Sequence, residues 1–454
     1  MATTAPSAET RPTRPSDPVS IQIDASLNCQ LACPLCPTAD GRLRPALGAG
    51  HLKVADFEGL LKRNPQIAHV ELSNYGEMFL NPHLPEILAC AFERKVTVSG
   101  SNGANLNYAS EAALDAVVRY RVRALNCSID GTTQEVYARY RVNGNLQRVL
   151  GHIDKIRELR VRQRSAFPLL TWQFVVFGHN EHQIKTARGM AAERGMEFVP
   201  RLNWDADYSP VQNRDLVRIE SGVGASSRAE YRERSGREYT RHLCLQLWHA
   251  PVLNWNGAML GCCVNCWGDF GVNGFTTSLS EAMETPSLEY ARRMLTGEAE
   301  PRPGIPCTTC GQYAEIRQSQ RWLTSEEIGQ YRGMGYIAGI LLDADASVRF
   351  AQVAISAGSG GQARWEPSGR LFRFGVDRAV YFRPPEPGTY TVFVRSLGSG
   401  RWTPVTSWQV EIAARPICQE FALTVPGRAV SSEHASEHPS EHADKAACLP
   451  VWIR

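Results

Sequence analysis

Several absences bound the reading of this sequence. No apolar run approaches the ~20 residues that a membrane-spanning helix needs; the most tempting stretch, YIAGILL at 336–342, stops at Asp343. The amino-terminal MATTAPSAETRPTRPSDP lacks the apolar core of a secretory signal, so a cytoplasmic protein is expected. An excess of one charge is lacking too. Lys and Arg number 49 against 46 Asp and Glu, a net +3 over 454 residues, too little to argue for a nucleic-acid or membrane partner. The length suggests two to three domains.

Cysteine is abundant and clustered. Of 13 cysteines, Cys29, Cys33 and Cys36 form one group; Cys244, Cys262, Cys263 and Cys266 a second; Cys307 and Cys310 a third. Cys90, Cys127, Cys418 and Cys448 stand alone. In a reducing compartment such clusters point to metal rather than disulfides. The first group has no fourth member nearby, since the next cysteine is Cys90. Structural zinc sites usually close with four protein ligands. Three thiolates on a [4Fe–4S] cluster leave one iron open. A zinc site completed from elsewhere and three incidental thiols are the alternatives.

From about 20 to 205 short apolar runs alternate with amphipathic stretches. SIQIDAS, HVELSNY, VTVSGSN, ALNCSID, LLTWQFVVF and MEFVPRLNW read as strands. VADFEGLLKRN, HLPEILACAFERK, SEAALDAVVRYR, NLQRVLGHIDKIRELRVR and HQIKTARGMAAERG read as helices between them. Repeated βα units predict an α/β fold with a parallel sheet, open or curled. Residues 1–19 read as disordered. Residues 206–243, charged and containing SGVGASSR, read as a loop-rich connection, and 244–330 hold the later cysteines. Period-two alternation over 336–425 predicts a separate antiparallel β-sandwich. Its Trp365, Trp402 and Trp408 are either core or a sugar-stacking platform. Residues 426–454, with SEHASEHPSEHA, read as a low-complexity tail, where His434, His438 and His442 are solvated or bind metal.

The first cysteine run follows the first predicted strand, at the end where ligands gather in parallel α/β folds. With C-x3-C-x2-C in that place, the sequence resembles the radical SAM superfamily over roughly residues 20–325. The resemblance implies a partial (β/α) barrel and a [4Fe–4S] cluster on Cys29, Cys33 and Cys36. Its open iron would chelate the amino and carboxylate groups of S-adenosylmethionine. One electron, from a donor such as flavodoxin or ferredoxin, would release a 5′-deoxyadenosyl radical that removes a hydrogen atom from substrate. The position before the third cysteine, often aromatic in the family, is Leu35. SNYGEMFLNP resembles the family's Gly-Gly-Glu-type segment. Gly76 would admit a close backbone approach, and Glu77 would accept from the methionine ammonium. In SGSNGANL, Asn102 either touches the ligand or serves an Asn-Gly turn. LNCSIDGTTQEVYARYRVNG resembles members in which a strand-end Ser and an Arg thirteen positions on hold ribose or carboxylate, here Ser128 and Arg141, with Arg139 as rival.

The stretch from Cys244 through Gly257 to Cys262, followed by Cys307-x2-Cys310, resembles the SPASM/Twitch auxiliary-cluster region. A full SPASM pattern adds cysteines soon after the last pair, and none occurs here before Cys418. The shorter Twitch form implies one auxiliary [4Fe–4S] cluster on Cys244, Cys262, Cys307 and Cys310. Cys263 and Cys266 either replace Cys262 or add a ligand, and a zinc ribbon also suits two thiol pairs. By resemblance, the expected reaction is dehydrogenation of a secondary alcohol of a sugar, polyol or aminocyclitol, a small polar substrate. Arg201, Asp205 and Asp207, at a predicted strand end, are the catalytic candidates. An epimerase acting on a sugar or peptide, a maturase acting on a peptide or protein, and a non-catalytic zinc scaffold with a β-sandwich module are the alternatives. With about twenty residues before the first strand, the leader-gripping module of many peptide-modifying members is not expected at this end.

Overall fold

The structure, a computed structural model, describes residues 18–329 and eight strands between 336 and 425. Residues 1–17, Trp402 and the Glu-His tail with His434, His438 and His442 lie outside the described residues.

Seven strands form one sheet: β1 (Ser20–Ile23), β2 (His69–Glu71), β3 (Thr97–Ala104), β4 (Ala124–Ser128), β5 (Leu169–Val176), β6 (Glu197–Leu202) and β7 (Val252–Leu253). Their order is β6-β5-β4-β3-β2-β1-β7. Every neighbouring pair is parallel. This is the expected α/β fold, with β6 and β7 at its edges; β7 is bridged on its outer side by the chain at Met259 and Leu260. β7 comes from the second cysteine region rather than from 20–205, and pairs Gln22 with Val252. Strands buried on both faces need continuous apolar runs, which is why LLTWQFVV in β5 and SIQI in β1 are almost wholly buried.

Helices alternate with these strands: α1 (Val54–Arg63), α2 (Leu84–Glu93), α3 (Glu111–Arg119), α4 (Gln134–Tyr140), α5 (Leu146–Arg162) and α6 (Ile184–Glu193). Each buries one stripe. In α1, Phe57, Leu60 and Leu61 are buried while Glu58 pairs with Lys62 at the surface. Side-chain caps start three of them: Ser110 Oγ accepts from Ala113 N at 3.2 Å, Thr133 Oγ1 from Val136 N at 3.4 Å, and Asn145 Oδ1 from Arg148 N at 2.8 Å. The segment expected to be loop-rich carries α7 (Arg214–Glu220) and α8 (Arg228–Ser235). Among the described residues, no helix is long and apolar enough to cross a membrane.

The C-terminal strands form two sheets. Five are antiparallel: β9 (Phe350–Ala357), β10 (Trp365–Glu366), β11 (Leu371–Arg373), β13 (Gly388–Ser396) and β14 (Thr403–Val410). In the other, β8 (Tyr336–Ala344) pairs antiparallel with β12 (Ala379–Phe382) but parallel with β15 (Ile417–Val425). The expectation of a wholly antiparallel arrangement is corrected at that pair, because period-two alternation is the same in both orientations. The smaller sheet docks beneath the parallel one. Ile337 packs with Ala124, Ala166, Phe167 and Leu169, all at the amino ends of β4 and β5. Glu420 is buried there, accepting from Ala166 N and pairing with Arg121 Nε at 3.1 Å.

Candidate functional site

The carboxyl ends of the parallel strands converge on a cavity of about 630 Å³, within the range of small-molecule sites. Cys29, Cys33 and Cys36 line it from the loop after β1, and Gly76 and Glu77 from the loop after β2. Asn102 in β3, Ser128 at the end of β4, Arg141 just past α4 and Arg201 in β6 complete its polar wall. A larger hollow of about 820 Å³ lies among Arg232, Arg241, Glu315 and Glu327. Its charges neutralise one another, Arg241 Nε lying 2.9 Å from Glu327 Oε1, and no thiol lines it.

Glycine brings the first two loops together. A Cβ on Gly76 would lie 1.7 Å from the Ser26 carbonyl oxygen, so any side chain would force the loops apart. Their contact is sealed by Glu77 N donating to Asn28 O at 2.9 Å and Tyr75 N to Asp24 Oδ1 at 3.0 Å. The cysteine loop is also tied to the chain after α4, where Ala32 N donates to Val142 O at 3.1 Å.

The thiols have hydrogen-bond donors. Asn105 Nδ2 reaches Cys29 Sγ at 3.5 Å, held by Gln30 Nε2 on Asn105 Oδ1 at 2.7 Å. Arg141 Nη1 lies 3.8 Å from Cys33 Sγ, and its Nε donates to Asp130 Oδ2 at 2.6 Å. Asp130 is fully buried and also accepts from Val175 N at 2.6 Å, so Arg141 cannot swing away without stranding a buried charge. Burial opposes the charge on Arg141, but Asp130 holds it firmly protonated. Burial and Glu77 push the Cys29 thiol up to about 12. Glu77 is itself pushed up to about 7 by burial, although Asn105 N (2.6 Å) and Phe79 N (3.1 Å) both donate to it.

The later cysteines separate into two sets. Cys244 is buried, and the charges of Cys262, Cys307 and Cys310 act on it. Those four pack against one hydrophobic core. Cys263 and Cys266 pack instead with Leu27, Leu43, Leu260 and Tyr75. Cys263 lines the cavity, its N–H donating to Gln246 Oε1 at 2.9 Å. Among the described residues, no three His, Cys, Asp or Glu side chains converge on one point closely enough to hold a single metal ion.

No protein-family model and no curated protein matches the chain. Solved structures do. SuiB of Streptococcus suis bound to S-adenosylmethionine is 14% identical, with 65% of this chain and 71% of that one covered at a TM-score of 0.46. BtrN in complex with AdoMet and 2-DOIA is 13% identical, with 65% and 93% covered at 0.38. Methylornithine synthase (PylB) is 18% identical, with 41% and 54% covered at 0.30. These structural neighbours are radical SAM enzymes.

The structure sorts the remaining candidates. Arg139 stays out of the cavity lining, leaving Arg141. Asn102 sits within β3 rather than a turn, exposed, its Nδ2 donating to Asn74 Oδ1 at 2.9 Å. Arg201 lines the cavity, whereas Asp205 and Asp207 do not. Asp205 Oδ1 accepts from Asp207 N at 2.9 Å and Tyr208 N at 3.0 Å, the work of a turn. Sequence reading missed Asp130 and Asn105, and it missed Arg228, Tyr239 and His242, which line the cavity from the supposed connection. No motif marked them: Asp130 acts through Arg141 and Arg228 lies beside Tyr239, each eleven residues on, while Asn105 meets Cys29 and Glu77 only in the fold.

Proposed function

We propose that this chain is a radical SAM oxidoreductase that dehydrogenates a secondary alcohol of a sugar, polyol or aminocyclitol. One observation carries the reading: Cys29, Cys33 and Cys36 line the same cavity as Glu77, Ser128 and Arg141 at the carboxyl ends of the sheet. The donor set fits a [4Fe–4S] cluster. Three thiols leave an iron open, and Asn105 and Arg141 stand where they would stabilise anionic sulfur. When bound, the cluster and S-adenosylmethionine would supply one-electron reduction and a group that abstracts hydrogen. Glu77 keeps accepting capacity on both oxygens, enough for an ammonium. Ser128 Oγ offers a hydroxyl at the end of β4. Arg141, with Nε committed to Asp130, offsets negative charge at Cys33 more than it grips a ligand.

Cys244, Cys262, Cys307 and Cys310 would close a second [4Fe–4S] cluster, a sink for the substrate's second electron. Cys244 is buried and the other three pack against the same hydrophobic core, which suits a shielded four-thiol site.

Cys263 favours a second reading. It lines the cavity apart from the four-thiol set, and burial pushes it up to about 12, so it keeps its S–H at neutral pH. A thiol there suits an epimerase that returns a hydrogen atom to the opposite face.

The test is anaerobic reconstitution, then candidate substrates with reductant and S-adenosylmethionine, read by mass spectrometry. About eight irons per chain are expected, about four fewer in Cys33→Ala with loss of 5′-deoxyadenosine. The product should be lighter by two hydrogens. In Cys310→Ala that is folded and still cleaves S-adenosylmethionine, this product should drop sharply. Zinc with no iron sinks the enzymatic reading. A product of unchanged mass carrying one deuterium from heavy water establishes the epimerase instead.

A further inference from the structure

We infer that the cavity selects a small polyol bearing an oxyanion, a carboxylate or a phosphate, which docks on the guanidiniums of Arg201 and Arg228. The inference rests on the radical SAM reading and narrows its substrate class from sugars, polyols and aminocyclitols to acidic sugars and polyols.

Arg201 is the penultimate residue of β6, opposite Val175 of β5, and Arg228 opens α8; both line the cavity. Arg228 is fixed in place. Its Nε donates to Leu202 O at 3.2 Å, and its guanidinium carbon lies 4.9 Å from the Tyr239 ring centroid and 6.0 Å from that of Trp204. Rings at those distances hold the planar group while its two outer nitrogens stay available for a bidentate acceptor.

Neither guanidinium has an ion-pair partner among the described residues. That sets them apart from their neighbours. Arg218 pairs with Glu230, Arg232 with Glu315, Arg241 with Glu327, and Arg141, in the same cavity, with Asp130. The chain supplies carboxylates to these cations and withholds them from Arg201 and Arg228. Instead Arg201 repels Arg228 and also acts on His242, which lines the same wall. Burial and Arg201 together shift Arg228 below the usual arginine range. Arg228 is half-buried and Arg201 is exposed at the cavity wall, and an anion entering the cavity relieves the repulsion between them through charge-assisted hydrogen bonds. The same pair repels an ammonium, so an aminocyclitol is disfavoured.

The test uses the reconstituted full chain at low ionic strength, titrated calorimetrically with inorganic phosphate, with acetate and, separately, with S-adenosylmethionine. Arg201→Gln and Arg228→Gln should each weaken anion binding about tenfold or more. Arg228→Lys, keeping charge without the fork, should fall between. Iron content, melting temperature and S-adenosylmethionine affinity should stay within about twofold of wild type. Tighter phosphate than acetate assigns a phosphoryl substrate, and the reverse order a carboxylate; either supports the inference. Anion binding that is absent in wild type, or unchanged in both Gln variants, overturns it. So does an equal loss of S-adenosylmethionine affinity, which would give the arginines to that ligand's own carboxylate. An acidic peptide binding far more tightly than either anion would overturn the small-polyol class. Failure of the radical SAM reading shows separately, as a chain that takes up no iron yet binds phosphate through both arginines.

Discussion

Glu77 shows how burial and ligand charge combine at a single residue. Two backbone N–H groups donate to its carboxylate, which ordinarily favours the ionised form. Burial outweighs them and leaves the group near 7. The neutral acid therefore dominates below that pH and the carboxylate above it. An ammonium binds only the carboxylate, so S-adenosylmethionine affinity should fall as pH drops through about 7 and recover above it. Glu77→Gln should flatten that profile. At about pH 8 it should weaken binding about ten- to hundred-fold, the loss of one charged hydrogen bond worth about 1.5–3 kcal/mol. Equilibrium dialysis against pH, with iron content as control, checks both; a Gln variant with the wild-type profile would remove Glu77 from the site. Asp130, which does not line the cavity, acts through Arg141. It keeps Arg141 charged and aimed at Cys33, a role that a lone Asp in a sequence does not announce.

Among elements, the decisive contact is between the loops after β1 and β2. Gly76→Ala would set a methyl carbon against the Ser26 carbonyl, with Leu27 Cα only 2.7 Å away. Both obstacles are backbone, so no rotamer relieves them. We expect a loss of about 3 kcal/mol or more, and lower iron uptake because Glu77 N would no longer reach Asn28 O. Thermal melts of the iron-free and reconstituted variant measure the two effects; wild-type values in both would show that the loops yield easily. Six strands of the parallel sheet were legible because short runs such as LLTWQFVV alternate with amphipathic helices, whereas β7, two residues long, lies outside that repeat. α4 was not read, since seven residues burying only Tyr137 and Tyr140 give no periodicity to count. α8 was missed for a related reason: it buries no residue, so its charged sequence resembles a loop, yet it delivers Arg228. The three-thiol motif could be read directly, being local. The choice among Cys262, Cys263 and Cys266 could not be read, because it depends on which core each side chain joins.

For the whole molecule, the question is whether the C-terminal strands take part in the chemistry. Among the described residues, their contacts fall at the amino ends of β4 and β5, through Ile337, Glu420 and the Tyr381 hydroxyl, which donates to Ala166 O. The cavity opens at the other ends. β5 has eight residues, about 25 Å at ~3.3 Å each, so a carbohydrate held on this side would not reach the thiols. The strands instead cover apolar surface beneath the sheet, anchored by a buried ion pair. Glu420→Ala would strand Arg121 and leave the Ala166 N–H without its acceptor. Breaking such a pair from one side costs about 3–5 kcal/mol, and Arg121 keeps some contact with water, so we expect the lower end. That loss should appear as earlier proteolysis of the segment beyond residue 330 and a lower melting temperature. S-adenosylmethionine cleavage per reconstituted cluster should remain within about twofold, because no residue at the carboxyl ends has moved. Cleavage that collapses in a variant shown to be folded and fully loaded with iron would mean the two ends of the sheet are coupled, and the C-terminal strands would then belong to the catalytic machinery.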